Sequence, residues 1–502
     1  MLLTSSWIID TTIYISLISL LIYKYLTRYF DYWEKRNVPY FKPTLLFGNF
    51  KDVFTFKITI QEQLKKLYDK MDAPYFGVFI FDEPMLVLKD PKLIKDVLIK
   101  DSAIFANRRP PTPTHRLMEH SIVFMKYPHW KKVRTRLTPV FTSAMLKNMH
   151  TEVSEITKAM VQYLHKNKKT IDGRGLGNIF TDEFIFKCFF GVDLDGFGDK
   201  PTSLQPIVTK LNGFSLRNAI VQNLFFVKPS WVKHLKLNFF KDSSLRIFED
   251  IFKQGMKARD HYNGKPLNYV DFANKGVREL EKGMDITKET DTSIAGAILF
   301  LIAGKDTLNT LFSFTLYELA VSEYIQNRLR KEVQENIKKY GGITYEGMQD
   351  NKYLDMCIKE SMRKYPPIPF LDRVPISDYQ FEGSDLKLEC DKMTVLIPSF
   401  AINRDEKYFP NPELYDPERF AEEKVSEGLV YIPFGEGPRA CIGRRLGMLS
   451  LAIGLSYVLM NFKIEKSPET PSKIEFEPKS MPLMSKGGLP LKMTPLGDEI
   501  YL

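Results

Sequence analysis

The sequence predicts a mainly helical globular protein with small β-sheets, joined to a membrane by one N-terminal transmembrane helix. The first observation is an apolar run from Leu2 to Tyr23, about as long as the hydrocarbon core of a bilayer requires. The second is a mostly helical pattern of apolar residues from about Lys92 to Lys339. The third is a pair of segments, 75–91 and 374–398, in which short apolar stretches alternate with turn residues.

Composition narrows the class of protein. The chain has 502 residues, 44% of them hydrophobic, which is enough for a large core and more than one typical domain length. Its four cysteines form no CxxC pair, so they are not a disulfide framework and a reducing, cytosol-facing compartment is expected. The net charge of +10 fits an anionic membrane or an acidic protein partner. Without an arginine-rich tail or an RNA-binding motif, nucleic acid is not expected as a partner.

The N-terminal apolar run is interpreted as a membrane anchor. Its only formal charge is Asp10. Basic residues follow it and place the rest of the chain in the cytosol: Lys24, Arg28, Lys35 and Arg36. A cleaved signal peptide would carry such residues before the run. A buried helix is the other alternative, because a carboxylate within a bilayer is costly.

The predicted organisation is an anchor over 1–27, a linker over 28–49 and a cytosolic domain over 50–502. Prolines and a glycine between Asn37 and Asn49 are typical of a linker. Segment 75–91 is predicted to be two strands around a turn. Loops are predicted at 107–115 and 166–178, within the helical region, and the last clear helix over 444–462, just after Cys441.

A lone cysteine, Cys441, lies in the glycine-rich segment "FGEGPRACIG" (434–443). Neighbouring arginines and the start of a helix favour the thiolate, which is a strong metal ligand. A structural zinc ion would need four ligands, and all seven histidines lie at or before His261. A catalytic cysteine would need a nearby base, and the glycine spacing fits no phosphate-binding loop. From this chemistry alone, a thiolate on one metal ion and a buried structural cysteine stay open as alternatives.

The spacing of this segment resembles the cysteine loop of the cytochromes P-450. The matched positions are Phe434, Gly435, Gly437, Arg439, Cys441 and Gly443. The resemblance implies the cytochrome P-450 fold, with Cys441 as the axial thiolate ligand of haem iron and Phe434, Gly435 and Gly443 as part of the haem-binding loop. It extends over nearly the whole chain, and is closest to the microsomal members of the arthropod detoxification group and their vertebrate drug- and steroid-oxidising relatives.

A second motif is "KESMR", in which Glu360 and Arg363 lie one helical turn apart. Alone, such a pair is usually a surface salt bridge worth about 0.2–0.5 kcal/mol. By resemblance, Glu360 and Arg363 lock together with Arg419 of "DPERF" behind the haem in a structural role. Asn403 stands where many relatives carry histidine, and no catalytic consequence is attached to it.

The segment "FLIAGKDTLNT" (300–310) is predicted to be an apolar helix interrupted by polar residues. On its own pattern it is equally a core helix with a stray polar pair. By resemblance it is the oxygen-activating helix, so the candidate catalytic residues are Asp306 and Thr307, which would relay protons, while Gly304 leaves space for oxygen. Lys305 departs from the apolar or aromatic residue expected between the glycine and the acid.

Four further residues are candidate ligands of the haem propionates. "WKKVR" places Trp130 and Arg134 one helical turn apart, and in the family both reach a propionate. Arg373 of "LDRV" and Arg439 of the cysteine loop resemble further propionate ligands. Arginine suits carboxylates because its guanidinium binds them bidentately. The alternative for each arginine is a solvated side chain.

The resemblance implies a haem-thiolate monooxygenase whose catalytic domain binds haem b (iron protoporphyrin IX). Electrons would come from NADPH through the NADPH-cytochrome P-450 reductase, with cytochrome b5 as a second candidate donor. The expected location is the cytosolic face of the endoplasmic reticulum membrane. Two alternatives stay open: a haem-thiolate isomerase or dehydratase that rearranges a peroxide without a reductase, and a membrane-anchored binding protein without catalysis.

Substrate and docking surfaces are predicted more coarsely. Segments 116–124 and 216–226 are expected to border the pocket by their position in the family, and their apolar residues indicate a lipophilic substrate. Plant toxins, insecticides, fatty acids, steroids and juvenoid hormones are all compatible. Segment 224–240 surrounds Trp231 with phenylalanines and lysines, as membrane-interfacial segments do; a core stretch is the alternative. The candidate docking patch for the reductase is Lys131, Lys132, Arg136 and Arg445.

Overall fold

A computed structural model describes residues 6–109, 115–167, 170–199, 201–202, 204–211, 216–238, 240–279, 286–421 and 429–497. It is 55% helical, with small sheets. The chain forms two compact units. Unit 1 comprises Met1–Arg109 and Phe370–Pro398, and unit 2 comprises Pro110–Pro369 and Ser399–Leu502.

The helices in chain order are α1 (Trp7–Thr27), α2 (Lys51–Phe54), α3 (Ile60–Asp69), α4 (Pro91–Lys95), α5 (Arg116–Glu119), α6 (His129–Leu137), α7 (Ser143–Lys166), α8 (Gly173–Ile185), α9 (Leu204–Leu211), α10 (Leu216–Val227), α11 (Pro229–His234), α12 (Asp242–Ala258), α13 (Tyr269–Arg278), α14 (Ile286–Val321), α15 (Glu323–Tyr340), α16 (Tyr345–Asp350), α17 (Lys352–Lys364), α18 (Ser399–Ile402) and α19 (Arg444–Asn461). The strands are β1 (Tyr75–Ile80), β2 (Glu83–Leu88), β3 (Thr170–Asp172), β4 (Leu371–Arg373), β5 (Tyr379–Gln380), β6 (Lys387–Leu388), β7 (Thr394–Ile397), β8 (Phe462–Lys466) and β9 (Pro490–Pro495).

Unit 1 is built on a four-stranded sheet in the order β1-β2-β7-β4. The predicted hairpin is confirmed: β1 pairs antiparallel with β2, from Tyr75 opposite Leu88 to Ile80 opposite Glu83. β7 pairs parallel with β2 and antiparallel with β4, which lies just before the second predicted strand region. The other two strands of that region, β5 and β6, form a separate two-stranded sheet. The side chains of β1, β2 and β7 are almost all buried on both faces, which accounts for the nearly continuous apolar runs.

The predicted linker is tied to this sheet. Between Asn37 and Asn49 the chain forms isolated bridges to β1, and the Asn49 side chain accepts a hydrogen bond from the Phe79 backbone N–H at 2.7 Å. Trp33 is fully buried just before this stretch, and its indole N–H donates to the Val78 carbonyl. The segment therefore packs as part of unit 1.

Unit 2 is organised around α14, most of whose residues are buried. α19 and α8 both approach it closely at Gly454: a Cβ built there would stand 3.1 Å from the Phe312 ring of α14 and 3.2 Å from the Phe180 ring of α8. The missing side chain lets the three helices pack together. This contact sets the helix that begins just after Cys441 against the helix that carries Asp306 and Thr307.

One predicted loop is partly wrong. Segment 166–178 contains β3, which pairs antiparallel with β9, and the first residues of α8. The helix begins within a glycine-rich stretch because the Asp172 carboxylate accepts hydrogen bonds from the backbone N–H groups of Arg174 and Gly175. The other predicted loop, 107–115, includes 110–114, which lie outside the described residues.

Within the described residues, α1 and α14 are both long and apolar enough to cross a membrane. They differ in burial, since 72% of the apolar window of α14 is buried and only 6% of that of α1. α14 is therefore a core helix, and α1 is a candidate membrane anchor. Asp10 is the buried residue of α1.

Deleting residues 1–27 is expected to leave a folded protein. The cut falls just before Arg28, which forms an ion pair with Asp82 at 2.7 Å, and before the buried Trp33. We expect the truncated chain to unfold cooperatively within a few degrees of the full chain, while most of its affinity for vesicles is lost. Calorimetry and vesicle flotation measure both properties. An aggregated truncated chain would show that α1 belongs to the core of unit 1.

Candidate functional site

Cys441 lies in a tight loop that ends where α19 begins. Its side chain is exposed, and its backbone N–H donates to the Phe434 carbonyl at 2.8 Å. Gly435 and Gly437 have φ angles of 67° and 73°, a region that favours glycine. Gly443 is the N-cap residue of α19. The loop closes on its own backbone, and Cys441 is exposed within it.

Phe141 connects this loop to α14. A Cβ built on Gly443 would stand 3.8 Å from the Phe141 ring and 4.0 Å from the Cys441 Sγ. Phe141 lies in the 3₁₀ turn Thr138–Phe141, after α6, and its ring meets that of Phe300 edge-on with centroids 5.6 Å apart. Gly443 therefore keeps the space beside the sulfur free of a side chain.

Trp130 of α6 and Arg439 of the cysteine loop are in contact. Both are buried, and the Arg439 guanidinium lies over the Trp130 ring at 3.9 Å. The same guanidinium donates to the Met125 carbonyl at 3.1 Å. Arg134 is half-buried on α6, one turn after Trp130. The cysteine loop and α6 thus present aromatic and cationic groups together.

Arg373 lies on β4 in unit 1. It is buried, and its guanidinium donates to the Asp372 carbonyl at 2.8 Å. Within the described residues it forms no salt bridge. Burial, reinforced by nearby Arg108, lowers the pKa of Arg373 to about 9. A buried cation in these surroundings is suited to binding an anionic group.

Asp306 and Thr307 lie on α14 and are half-buried. The Thr307 hydroxyl donates to the Ala303 carbonyl at 2.6 Å, within its own helix. Ala303, on the same face, is exposed although most of α14 is buried. Burial raises the pKa of the Asp306 carboxyl above its ordinary value. This face of α14 therefore offers a hydroxyl whose lone pairs can accept a hydrogen bond, beside a carboxyl that holds its proton more tightly than usual.

Lys305 points away from that face. It is buried, and its ammonium lies 2.7 Å from Oδ2 of Asp182 on α8. Gly304 also faces α8, since a Cβ built there would stand 2.7 Å from Cδ1 of Ile185. The expectation that Gly304 leaves space for oxygen is therefore corrected: its missing side chain allows α14 to approach α8.

Glu360, Arg363 and Arg419 are brought together in the interior of unit 2. Glu360 and Arg363 are fully buried and form a bidentate ion pair at 2.7 and 2.8 Å. Arg419 lies 3.5 Å from Glu360 Oε1, which also accepts from the Asp416 N–H at 2.9 Å. The interpretation as a surface salt bridge is wrong for Glu360 and Arg363. Burial nevertheless raises the pKa of Glu360 above its ordinary value, against the opposing effect of Arg363.

Asn403 completes this cluster. Its backbone carbonyl accepts from the Arg363 guanidinium at 2.9 Å, and its side-chain amide donates to the Arg363 carbonyl at 3.0 Å. Asn403 therefore holds Arg363 from two sides.

Three structural partners were missed from the sequence: Phe141, Met125 and Asp182. The sequence could have indicated a role for Asp182. This residue lies in the apolar stretch "IFTDEFIF", and a carboxylate buried there would need a cation as its partner. Lys305 in its own apolar helix carries the complementary signal. Nothing in the pattern could have paired Arg439 with the backbone of Met125.

These residues fit a haem. The accessible Cys441 supplies one thiol, and no group of three or more His, Cys, Asp or Glu residues that could hold another metal ion occurs in the described part of the chain. A single thiolate with apolar surroundings suits iron in a porphyrin, and buried arginines suit its carboxylates. Cys441, Phe434, Gly435 and Gly443 would hold the iron side of the group, and Trp130, Arg134 and Arg439 its carboxylates. Arg373, which lies in unit 1, is a further candidate by its motif.

Comparison with known proteins gives one consistent result. The family model "Cytochrome P450" matches residues 38–493. Cytochrome P450 6j1 of Blattella germanica is 34% identical, covering 95% of this chain and 96% of its own length. Cytochrome P450 6k1 of the same species is 32% identical, with 97% and 98% covered. The probable cytochrome P450 6g2 of Drosophila melanogaster is 30% identical, with 93% and 95% covered.

Proposed function

Since this chain belongs to the cytochrome P450 family and is a haem-thiolate monooxygenase, we propose that Cys441 is the thiolate that binds the haem iron. The observation that carries the proposal is the accessible Cys441 side chain in a glycine-rich loop at the start of α19. When bound, the haem supplies the activation of O₂, so that one oxygen atom enters the substrate and the other leaves as water.

The chain's own groups orient the cofactor. Arg439, which lies over the Trp130 ring, and Arg134 supply cations for the propionates. Trp130, on the same helix as Arg134, supplies an indole N–H. Arg373 is also proposed as a propionate ligand, because it occurs in the segment "LDRV" and because its side chain is buried. Guanidinium groups that are already fixed by the protein lose little freedom when they bind a carboxylate.

Asp306 and Thr307 are proposed to deliver protons. The apolar residues of α14 cannot carry protons, whereas the Thr307 hydroxyl can hold a water molecule and Asp306 can resupply a proton from the solvent side. Thr307 is half-buried next to the exposed Ala303, so its hydroxyl lies where such a water molecule can be held.

Thr307→Ala is expected to uncouple turnover. The change removes a hydroxyl with little change in volume, so haem content and substrate affinity should stay close to those of the parent. The ratio of product formed to NADPH consumed should fall several-fold, with the difference appearing as hydrogen peroxide or water. Ser313→Ala is a matched control, since the Ser313 hydroxyl also donates within its own helix, to the Asn309 carbonyl, but lies deeper in the core. An unchanged ratio in Thr307→Ala would remove Thr307 from the proton path.

The proposed substrates are lipophilic small molecules. Segments 116–124 and 216–226, both expected to border the pocket, meet in the structure: the rings of Phe124 and Phe225 are edge-on with centroids 5.1 Å apart. Both side chains are buried and apolar. Together they support a binding site for apolar molecules, from plant toxins and insecticides to fatty acids, steroids and juvenoid hormones.

The proposed location is the cytosolic face of the endoplasmic reticulum membrane, with α1 as the anchor. A second contact with lipid is supported by Trp231 of α11, which is 42% exposed, and by Leu235 directly after that helix, which is 61% exposed. Labelling of Trp231 from within the bilayer would support this contact. Complete protection of Trp231 would favour the alternative of a core stretch.

Electrons are proposed to come from NADPH through the reductase, with cytochrome b5 as a second donor. Lys131 and Lys132 of α6 are exposed and form no ion pair within the described residues. Arg445 is also exposed and donates to Ser143 and Tyr345, whereas Arg136 pairs with Glu289 at 2.5 Å. The two lysines and Arg445 are the more available part of the docking patch.

Reversing the charge of Lys131 and Lys132 to glutamate is expected to slow reductase-driven turnover several-fold. Attraction between a basic patch and an acidic partner acts mainly on the rate of association and weakens with salt. Peroxide-driven turnover needs no reductase and should be unchanged. Equal loss of both activities would contradict a docking role and indicate misfolding.

The test of the proposed function is turnover by the full chain in vesicles with the reductase and a panel of lipophilic compounds. Product should form only with both NADPH and O₂, and ¹⁸O₂ should label it with one oxygen atom. Product formed from an organic peroxide alone, with none from NADPH, would favour the isomerase or dehydratase alternative.

A further inference from the structure

The interface between α8 and α14 carries charges that the proposed reaction does not use. Lys305 and Asp182 are 5% and 1% exposed, and the Lys305 ammonium lies 2.6 and 2.7 Å from the two carboxylate oxygens. One turn further along α14, the Asn309 amide donates to the Asn178 side chain of α8 at 2.8 Å. The helices are therefore joined by an ionic contact and a neutral polar contact, one turn apart.

Stability is a weak explanation for the ionic contact. Desolvation of two charges offsets much of their attraction, and apolar residues of similar volume often serve as well. A lysine directly before Asp306 also carries a risk for proton transfer, because an uncompensated ammonium beside a carboxyl favours its ionised form. Asp182 removes that risk by drawing the ammonium to α8.

On this turn of α14, the residue that packs against α8 and the residues proposed to deliver protons lie on different faces. Successive residues of a helix point about 100° apart, so Lys305 lies nearly opposite Ala303 and Thr307. Ala303 is exposed and Thr307 half-buried, whereas Lys305 is buried against α8. Asp306 lies between these faces and forms no hydrogen bond or ion pair through its side chain within the described residues.

We propose that Asp182 is a positioning residue for proton delivery, which holds the Lys305 ammonium against α8 and cancels its charge, so that Asp306 can hold and release a proton. This inference rests on the proposed role of Asp306. The charged groups that act on Asp306 are Lys305 on its own helix, and Asp182 and Arg174 on α8. Burial raises the pKa of Asp306; Lys305 and Arg174 oppose that rise, and Asp182 adds to it.

The test compares Asp182→Asn, Lys305→Met, the double variant and the control Asn309→Ala in the full chain. Asp182→Asn leaves Lys305 buried without its carboxylate and should lower the unfolding temperature. In the fraction that folds and binds haem, the ratio of product to NADPH consumed should be several-fold lower than in the parent. Adding Lys305→Met to Asp182→Asn should restore most of the ratio, because the uncompensated cation is gone. Asn309→Ala removes the neighbouring polar contact at the same interface and should leave the ratio unchanged even if it lowers the unfolding temperature.

The two single variants should shift the pH dependence of the ratio of product to NADPH consumed in opposite directions. In Asp182→Asn, the charge of Lys305 is no longer cancelled and lowers the Asp306 pKa. The ratio of product to NADPH consumed should therefore begin to fall, as pH rises, at a lower pH than in the parent. With Lys305 removed, a cation that opposes the rise of the Asp306 pKa is gone, so the decrease of the ratio with rising pH should begin at higher pH than in the parent. Lys305→Met therefore tests the inference even if Asp182→Asn does not fold. A double variant no better than Asp182→Asn, a shift of the wrong sign, or an equal effect of Asn309→Ala would overturn the inference.

A measurement without turnover separates this inference from the proposed function. A raised carboxyl pKa in the folded state makes the unfolding temperature fall as pH rises above the unfolded-state value. Comparing each variant with and without Asp306→Asn isolates the contribution of Asp306. That contribution should shrink in Asp182→Asn and grow in Lys305→Met. If these shifts occur but no product forms, the proposed function is wrong, and the inference that Asp182 cancels the effect of Lys305 on Asp306 is supported. If the shifts are absent, that inference is wrong.

Discussion

Glu360→Ala is expected to give little folded, haem-loaded protein. The change leaves the Arg363 guanidinium fully buried without its carboxylate, since Glu360 binds it through two hydrogen bonds. Breaking a buried ion pair by removing one partner costs about 3–5 kcal/mol. The whole stability of a domain is about 5–15 kcal/mol, so the change removes a large share of it and, near the lower end, all of it. Glu360 also accepts from the Asp416 N–H, which would lose its partner too.

The matched control is Asp355→Ala on the same helix. Asp355 pairs with Lys359 at 2.6 Å, but both side chains are about one third exposed or more. Such surface pairs contribute about 0.2–1 kcal/mol, so this variant should fold and bind haem like the parent. Expression yield, haem content and the unfolding temperature measure the difference. A Glu360→Ala variant as stable as Asp355→Ala would contradict a structural role for the buried cluster.

Cys441→Ser is expected to abolish monooxygenase activity while the fold is retained. Serine is close to cysteine in size, and the loop is held by the backbone hydrogen bond from residue 441 to Phe434, which does not involve the side chain. A neutral hydroxyl is a poor substitute for a thiolate as an iron ligand. Haem content should therefore fall severely, and product formation should be lost.

Cys390→Ser is the matched control for this variant. Cys390 is half-buried in unit 1, and its backbone N–H donates to the Asp378 carboxylate, a bond that the substitution leaves intact. Circular dichroism should show both variants folded, with haem retained only in Cys390→Ser. Full haem content and activity in Cys441→Ser would remove Cys441 from the proposed site.

The sequence was sufficient where local chemistry decides the structure. The β1–β2 hairpin follows from apolar strands around a turn, and α19 from an apolar run that begins after a glycine-rich loop. The start of α8 could not be predicted in the same way. Its glycines favour a loop, and only the two hydrogen bonds accepted by Asp172 turn them into the first turn of a helix.

Partners distant in the chain account for the other failures. The spacing of Glu360 and Arg363 predicted their pairing but not their burial, because the carbonyls that satisfy Arg363 come from Asn403, Pro412 and Leu414. Likewise, Lys305 is unusual in an apolar helix. Its ion pair with Asp182, more than a hundred residues earlier in the chain, explains its position. Sequence periodicity shows which face of a helix is apolar. It does not show which distant residue pairs with a charged side chain on that face.

Ligation of iron by Cys441 is tested by the absorption spectrum of the purified full chain after reduction and addition of carbon monoxide. Thiolate ligation shifts the main band of the reduced, carbon monoxide-treated haem strongly to the red compared with histidine ligation. We expect that shifted band in the parent and in Cys390→Ser, and its loss in Cys441→Ser. A parent protein with full haem content and the band of a histidine-ligated haem, or a Cys441→Ser variant that keeps the shifted band, would contradict the assignment of Cys441 as the iron ligand.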